Sequence, residues 1–142
     1  MKDGKSLPAV LKRLLDATNA HDLEALTDCF AVDYANETPA HPDRSFNGRE
    51  QVRRNWPQIF NGVPDLRATL IRWAADGDTL WAEWQHGGTR RDGTPHELAG
   101  VTVIGVRDDR IQWARFYLEP VLRDGKDVQT AIRSAMALDV SR

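Results

Sequence analysis

The sequence predicts an α+β fold in which helices come first and an antiparallel sheet follows. Between Leu7 and Phe60, apolar residues recur at the spacing that places them on one side of a helix. After Pro64, the pattern changes to extended runs in which apolar and polar residues alternate, as in strands with one buried face. Compact turn signals separate these runs: Asp76-Gly77-Asp78, Asp92-Gly93-Thr94-Pro95 and Asp108-Asp109.

The length of the chain predicts one globular domain with room for a cavity. A chain of 142 residues buries about two thirds of the surface that its unfolded form exposes, which is enough for one core and too little for two. We therefore predict a single domain over residues 1–142, with its core at about 7–120 and a helical extension at 121–142.

Charge and cysteine content exclude several classes of function. The chain has 19 Lys and Arg against 21 Asp and Glu, a net charge of −2, so neither nucleic acid nor an anionic membrane is an expected partner. Cys29 is the single cysteine, which rules out an internal disulfide. No metal-ligand spacing and no phosphate-binding glycine loop is present, so we expect no metal and no cofactor. Without a leader or an apolar span in the pattern, we expect a mature, cytoplasmic protein.

Two helices are predicted at the start of the chain. The first has Ser6 as its cap and Pro8 in its first turn. Its apolar stripe consists of Leu7, Val10, Leu11, Leu14 and Leu15. Asp22 is predicted to cap a second, short helix, and the stripe of that helix is Leu23, Leu26 and Phe30. We expect the two helices to pack as a hairpin.

One further helix interrupts the strands that follow. A short strand at Asp33–Thr38 is ended by Pro39, and a loop is predicted at Ala40–Asn47. The third helix spans Gly48–Phe60, and Pro57 is expected to kink it or end its regular part. An antiparallel meander of four strands is predicted next, at Leu66–Ala75, Thr79–Thr89, His96–Arg107 and Arg110–Glu119. A last helical segment, Asp127–Leu138, is expected to cover one end of the molecule.

Two-residue alternation distinguishes the two faces of the sheet. The predicted core side of the second meander strand carries Leu80, Ala82, Trp84 and His86. In the last strand, Ala114, Phe116 and Leu118 lie opposite Ile111, Trp113, Arg115 and Tyr117, so both faces are largely apolar. Trp73 and Trp81 are also expected on the outer face. We predict a homodimer through this face; the alternative is that the segment after Pro120 folds over it.

Several short stretches carry a resemblance to a known family. They are Ala17-Thr18-Asn19-Ala20-His21-Asp22-Leu23, Cys29-Phe30-Ala31-Val32-Asp33, Asn47-Gly48-Arg49-Glu50, and Arg110-Ile111 through Phe116-Tyr117-Leu118-Glu119-Pro120. Over roughly Leu7 to Pro120, the chain resembles the nuclear transport factor 2-like superfamily and, within it, the SnoaL-like, polyketide-cyclase-like branch. The resemblance implies a cone-shaped α+β barrel, in which a curved antiparallel sheet and helices enclose a deep pocket, and a dimer through the outer sheet face.

The resemblance also allows the relatives' catalytic positions to be compared one at a time. Where ketosteroid-isomerase-like members carry their base, this chain has Thr38, and their two oxyanion donors correspond to about Leu14 and Thr102. Where epoxide-hydrolase-like members carry their central-strand Arg and Asp and their last-strand Asp, the chain has Trp84, His86 and Phe116. These positions hold no carboxylate, so the resemblance alone implies no particular reaction.

His86 is the candidate catalytic residue, because it lies on the predicted core face beside Trp84. An imidazole that titrates near neutral pH can act as a general acid or base on a bound ligand. A structural, hydrogen-bonded histidine is the alternative interpretation, and the sequence leaves both open. His96, across the hairpin turn, is a candidate partner on the same face.

The candidate substrate-binding residues are Asn36, Thr38, Trp56, Phe60, Trp84, Thr102 and Phe116. Asn36 and Thr38 supply neutral hydrogen-bonding groups for a hydroxyl or carbonyl, although they would also suit a strand end. Thr102 enters through the resemblance. The aromatic residues would form an apolar wall, and plain core packing is the alternative for them, as it is for Tyr34.

Two hypotheses of function follow. In the first, the protein binds an apolar, oxygen-bearing small molecule and catalyses an acid–base reaction without a cofactor, such as isomerisation, cyclisation, dehydration or hydrolysis, with His86 moving the proton. In the second, the same pocket belongs to a non-catalytic ligand carrier or a dimeric interaction module. The missing carboxylates favour the second, and the inward-facing His86 favours the first.

Overall fold

The computed structural model describes residues 6–138 and confirms the predicted α+β fold. Its helices are α1 (Ala9–Ala20), α2 (Leu23–Asp28), α3 (Arg49–Gly62) and α4 (Val128–Ala135). Its strands are β1 (Phe30–Glu37), β2 (Phe46–Asn47), β3 (Arg67–Asp76), β4 (Thr79–Thr89), β5 (Pro95–Arg107) and β6 (Arg110–Pro120). A short 3-10 helix, Pro42–Arg44, lies between β1 and β2.

One curved sheet of six strands, in the order β2-β1-β6-β5-β4-β3, forms the frame of the molecule. The meander β3 to β6 is antiparallel as predicted, whereas β1 joins the edge of β6 in parallel. Because β2 and β3 are the two edges, the sheet is open rather than closed on itself. Helices α1, α2 and α3 contact the sheet from its concave side. The core lies between these two layers.

The helix ends show how local sequence sets the boundaries. Asp22 caps α2 as predicted, since its carboxylate accepts the backbone N–H of Ala25 at 3.1 Å. The predicted cap of α1 is wrong: Pro8 occupies that position, without a side-chain hydrogen bond, so Ser6 lies outside the helix. Phe30 is the first residue of β1 rather than the last of the α2 stripe, which makes β1 longer than the predicted strand.

Helix α3 continues through Pro57 to Gly62, so the helix does not end at this proline. Pro57 is exposed, and water can reach the backbone carbonyl that loses its N–H partner there. The apolar side of the helix stays intact, with Val52 buried and Trp56 and Phe60 packed against the core.

Two irregularities in the sheet change the faces of two predicted outward residues. The register shifts between Leu70 and Arg72, so Trp73 pairs with buried Ala82 and packs against the core instead of facing outward. A second shift between Gly105 and Val106 brings Ile111 inward, where it is only 1% exposed. Simple alternation fails at both places because an extra residue in one strand reverses the side-chain direction beyond it.

The outer sheet face retains large apolar groups. Trp81 is 40% exposed and Tyr117 is 42% exposed. The ring of Trp113 lies over Gly105, where a Cβ atom would meet the indole Nε1 at 1.9 Å. Only a glycine opposite Trp113 therefore lets that ring lie flat on the sheet.

The expectation that the last helix covers one end of the molecule is wrong. Every residue from Leu122 to Leu138 is exposed, including Val128 and Ile132 on its apolar stripe. The chain leaves the sheet at Pro120, and within the part up to Leu138 that the structure describes it is held at its start, where Arg123 pairs with Glu97 at 3.0 Å. Among the described helices, none has the length and hydrophobicity needed to cross a bilayer.

Candidate functional site

A cavity of about 280 Å³ lies between the helices and the concave face of the sheet. Helices α1 and α3 contribute apolar side chains on one side, and strands β1, β4, β5 and β6 contribute the opposite wall. The lining residues are Leu14, Thr18, Phe30, Tyr34, Asn36, Thr38, Arg44, Phe46, Val52, Asn55, Trp56, Ile59, Trp84, His86, Thr102, Ile104, Ile111, Ala114, Phe116, Leu118 and Glu119. A mostly apolar wall with a few polar groups is typical of a small-molecule site.

Most of the sequence-predicted site residues line this cavity together: Asn36, Thr38, Trp56, Trp84, His86, Thr102 and Phe116. Phe60 does not. Its ring stacks on His21, with centroids 4.4 Å apart, and contacts Trp56 in a tilted arrangement at 5.4 Å. Trp56, one turn earlier on α3, is the aromatic residue of this pair that lines the cavity, and Phe60 contributes packing between the helix and His21.

A chain of hydrogen bonds runs along β1 at the cavity wall. The Tyr34 hydroxyl donates to Asn36 Oδ1 at 2.7 Å, and the Asn36 amide donates to Thr38 Oγ1 at 3.3 Å. Tyr34 is 1% exposed and Asn36 is 8% exposed, and burial raises the pKa of the Tyr34 phenol. Because Thr38 accepts this bond, its own hydroxyl proton is left to donate elsewhere.

A second polar contact lies between two neighbouring strands. Trp84 Nε1 on β4 donates to Thr102 Oγ1 on β5 at 2.9 Å, and both side chains are buried. The indole can only donate, so Thr102 acts as the acceptor and keeps its hydroxyl proton available. The cavity thus has two threonine hydroxyls that can donate to an oxygen of a ligand.

His86 is an unprotonated imidazole at neutral pH. Burial, together with the nearby charge of His96, lowers its pKa from 6.5 to about 4. The two residues are diagonal neighbours, since His86 pairs with Leu98 and Gly88 pairs with His96 across β4 and β5. The expectation of an imidazole that titrates near neutral pH is therefore wrong, because the wall around it penalises the charged form.

Charged residues at the cavity were not singled out as ligands by the sequence. Glu119 lines the cavity and pairs with His41, whose Nε2 lies 2.9 Å from Glu119 Oε1. Arg44, from the 3-10 turn, also lines the cavity. The spacing of apolar residues does not predict that Arg44 and His41 approach the cavity. Both lie in a loop, and the path of this loop depends on the parallel pairing of β1 with β6.

Comparison with known proteins gives the family. The model of the SnoaL-like domain matches residues 11–114, which is more than half of the chain. The chain belongs to the SnoaL-like domain family. No curated protein matches it in sequence.

Solved structures share the fold of this SnoaL-like chain at low sequence identity. A protein with a ketosteroid isomerase-like fold from Catenulispora acidiphila, in complex with trimethylamine, is 21% identical over 79% of this chain and 87% of its own, with a TM-score of 0.69. A nuclear transport factor 2-like protein from Exiguobacterium is 19% identical; the match covers 81% of this chain and 100% of the Exiguobacterium chain, with a TM-score of 0.66. A protein described as a SnoaL-like polyketide cyclase from Jannaschia is 16% identical; the match covers 82% of this chain and 92% of the Jannaschia chain, with a TM-score of 0.67.

At these identities, the likeness establishes the nuclear transport factor 2-like fold of the SnoaL-like chain. It does not identify a reaction, which has to be argued from the residues of this chain. Within residues 6–138, no group of three or more His, Cys, Asp or Glu side chains has a metal-binding arrangement. The groups available for chemistry at the cavity are hydroxyls, the amides of Asn36 and Asn55, a neutral imidazole and two charged side chains.

Proposed function

We propose that this protein binds a small molecule with an apolar body and at least one oxygen in the cavity. The observation that carries the proposal is the combination of an apolar wall with two hydroxyl donors, that of half-buried Thr38 and that of buried Thr102. Aromatic residues such as Trp84 and Phe116 suit the apolar body, and the hydroxyls suit a carbonyl or ether oxygen. The trimethylamine bound to the Catenulispora protein of the same fold supports small-molecule binding in general.

Occluding the cavity tests this proposal. Ala114 is 2% exposed and lines the cavity, so Ala114→Leu should fill part of the space that a ligand needs. We expect the two-ring ketone 2-tetralone to bind the natural protein and to lose at least about tenfold in affinity in the variant. Binding is measured by NMR titration.

Ala74→Leu is the matched control, because Ala74 is exposed on the other side of the sheet, paired with Trp81. This variant should bind 2-tetralone as the natural protein does. Equal affinity in the two variants would contradict binding in the cavity.

We propose as a second candidate that the cavity also catalyses an acid–base reaction, with His86 as the proton-transfer group. His86 lines the cavity, and no described residue forms a hydrogen bond with its ring. A neutral imidazole can take a proton from a carbon next to a carbonyl and return it to another carbon of the same substrate, so that an isomerisation needs no co-reactant. The alternative, a non-catalytic carrier, is favoured by the lack of a carboxylate at Thr38 and Phe116.

Deuterium exchange into 2-tetralone distinguishes these alternatives. If His86 is the base, the protein accelerates exchange at the carbons beside the ketone, and His86→Gln lowers the rate about a hundredfold or more. The exchange rate should be flat at neutral pH and fall through pH about 4, where the imidazole becomes protonated. Binding without accelerated exchange would favour the carrier, and an unchanged rate in the variant would exclude His86 as the base.

A homodimer through the outer sheet face is also part of the proposal. Trp81 and Tyr117 are each about two fifths exposed there, and a contiguous apolar face of this kind usually becomes buried in an interface. A two-fold contact between identical faces is the commonest way to bury it.

We further propose a reducing, cytoplasmic location, which the single free thiol of Cys29 supports.

A further inference from the structure

Two residues with full charges line the cavity, Arg44 and Glu119, and their surroundings differ. The Glu119 carboxylate already has a partner, since His41 Nε2 lies 2.9 Å from its Oε1. The Arg44 guanidinium has no ion pair or hydrogen bond with any residue in the described range 6–138. Several arginines of the surface are matched with acids, as Arg53 is with Glu24 at 2.8 Å.

The loop that carries Arg44 is held in place by its own hydrogen bonds. The backbone N–H of His41 donates to the Thr38 carbonyl at 2.8 Å, and the Arg44 N–H donates to the His41 carbonyl at 2.9 Å. Ser45 Oγ accepts the N–H of Thr38 at 3.1 Å, which closes the loop. The contact between His41 and Glu119 ties this loop to β6. Arg44 is therefore presented at the cavity from a fixed backbone position.

We infer that the ligand carries one anionic group, of the carboxylate type, and that Arg44 binds this group while the apolar body fills the cavity. The inference rests on the proposed small-molecule function and specifies its ligand class. The interior offers only neutral hydroxyl, amide and imidazole groups, where a charge would be costly to bury. Arg44 is exposed, so an anion beside it keeps part of its hydration, and the planar guanidinium matches a carboxylate in a bidentate manner.

A matched pair of probes tests the inference. 2-Naphthylacetate and 2-naphthylacetamide have the same shape and differ in charge. We expect the natural protein to bind the carboxylate about tenfold more tightly than the amide. Arg44→Gln should abolish this preference by weakening the carboxylate alone. The preference should also shrink when the ionic strength is raised, because the contact is exposed.

Arg54→Gln is the control, since it removes the same charge from an exposed residue that pairs with Gln51 and does not line the cavity. It should leave the preference for the carboxylate unchanged. Equal binding of the two probes by the natural protein, or an equal loss for both in Arg44→Gln, would overturn the inference while leaving the small-molecule function standing. Binding of neither probe would overturn both.

Discussion

At the scale of single residues, the cavity wall decides which chemistry is available. His86 lies beside Trp84 as alternation predicts, and their rings meet edge to face at 6.2 Å. The same packing that places the imidazole at the cavity removes the water that would stabilise its cation. Residue type alone suggested a group that titrates near neutral pH; its surroundings make it a neutral imidazole, which can donate one hydrogen bond and accept another.

The depressed pKa of His86 predicts a pH-dependent stability. The imidazole titrates near 6.5 when unfolded and near 4 when folded, so the unfolded state binds more protons between these values. The free energy of unfolding should therefore fall as the pH drops through this window, and the His86 contribution at pH 5 should be about 2 kcal/mol below its value at pH 7.5.

Urea denaturation at the two pH values measures this effect, with His86→Gln as the comparison. The variant has no imidazole at this position, so its stability should fall less on acidification by about the same 2 kcal/mol. If both proteins lose equal stability between pH 7.5 and pH 5, the proposed linkage is wrong.

At the scale of elements, helix caps and turns follow from local sequence, whereas their contribution to the stability of the whole fold depends on how the element packs. Asp22 and Asp127 make the same kind of cap: each carboxylate accepts a backbone N–H three residues ahead, at 3.1 Å and 2.9 Å. Helix α2 contributes Leu26 to the core, where it is 0% exposed. Helix α4 has every described residue exposed. The two caps therefore have different consequences for the whole fold.

Replacing each cap separately should show this difference. Asp22→Ala is expected to lower the free energy of global unfolding by about 1 kcal/mol, because α2 unfolds together with the core. Asp127→Ala should change the global value by less than about 0.3 kcal/mol, since α4 is not packed against the core. Chemical denaturation monitored by tryptophan fluorescence measures both. A comparable loss in the two variants would mean that α4 is packed in solution.

At the scale of the whole molecule, two apolar surfaces lack a partner within the described chain. One is the outer sheet face with Trp81 and Tyr117, and the other is the α4 stripe with Val128 and Ile132. The sequence left open whether the C-terminal segment folds over the sheet. In the structure the segment does not do so, which leaves the sheet face free for a second copy.

The dimer prediction separates these two surfaces. Trp81→Glu places a charge in the proposed interface, and we expect it to dissociate the dimer while the monomer stays folded, because Trp81 is 40% exposed there. Val128→Glu is the control on α4 and should leave the dimer intact. Light scattering at micromolar concentration measures the mass. A natural protein of 16.0 kDa under these conditions would contradict the dimer, and dissociation by Val128→Glu alone would assign the interface to α4.

The sequence by itself determined the order of the four helices and the five longer strands, the strand boundaries of the meander and the inward face of β4, but it missed β2 and the 3-10 helix in the segment predicted as a loop. These depend on the period of the apolar residues and on turn chemistry, both of which act over a few neighbouring positions. For the same reason, alternation was enough to bring Trp84 and His86 to one wall. Asn36, on β1, and Thr38, just after its end, were placed at the pocket by alternation together with the family resemblance.

Only the tertiary structure decided what depends on contacts between distant segments. Register shifts turned Trp73 and Ile111 inward, because an extra residue in one strand has no signature in that strand alone. The parallel pairing of β1 with β6 brought His41 to Glu119, which are far apart in the chain. It also left Arg44 at the cavity without an acidic partner in the described chain. Burial, which depends on every surrounding element at once, set the protonation state of His86.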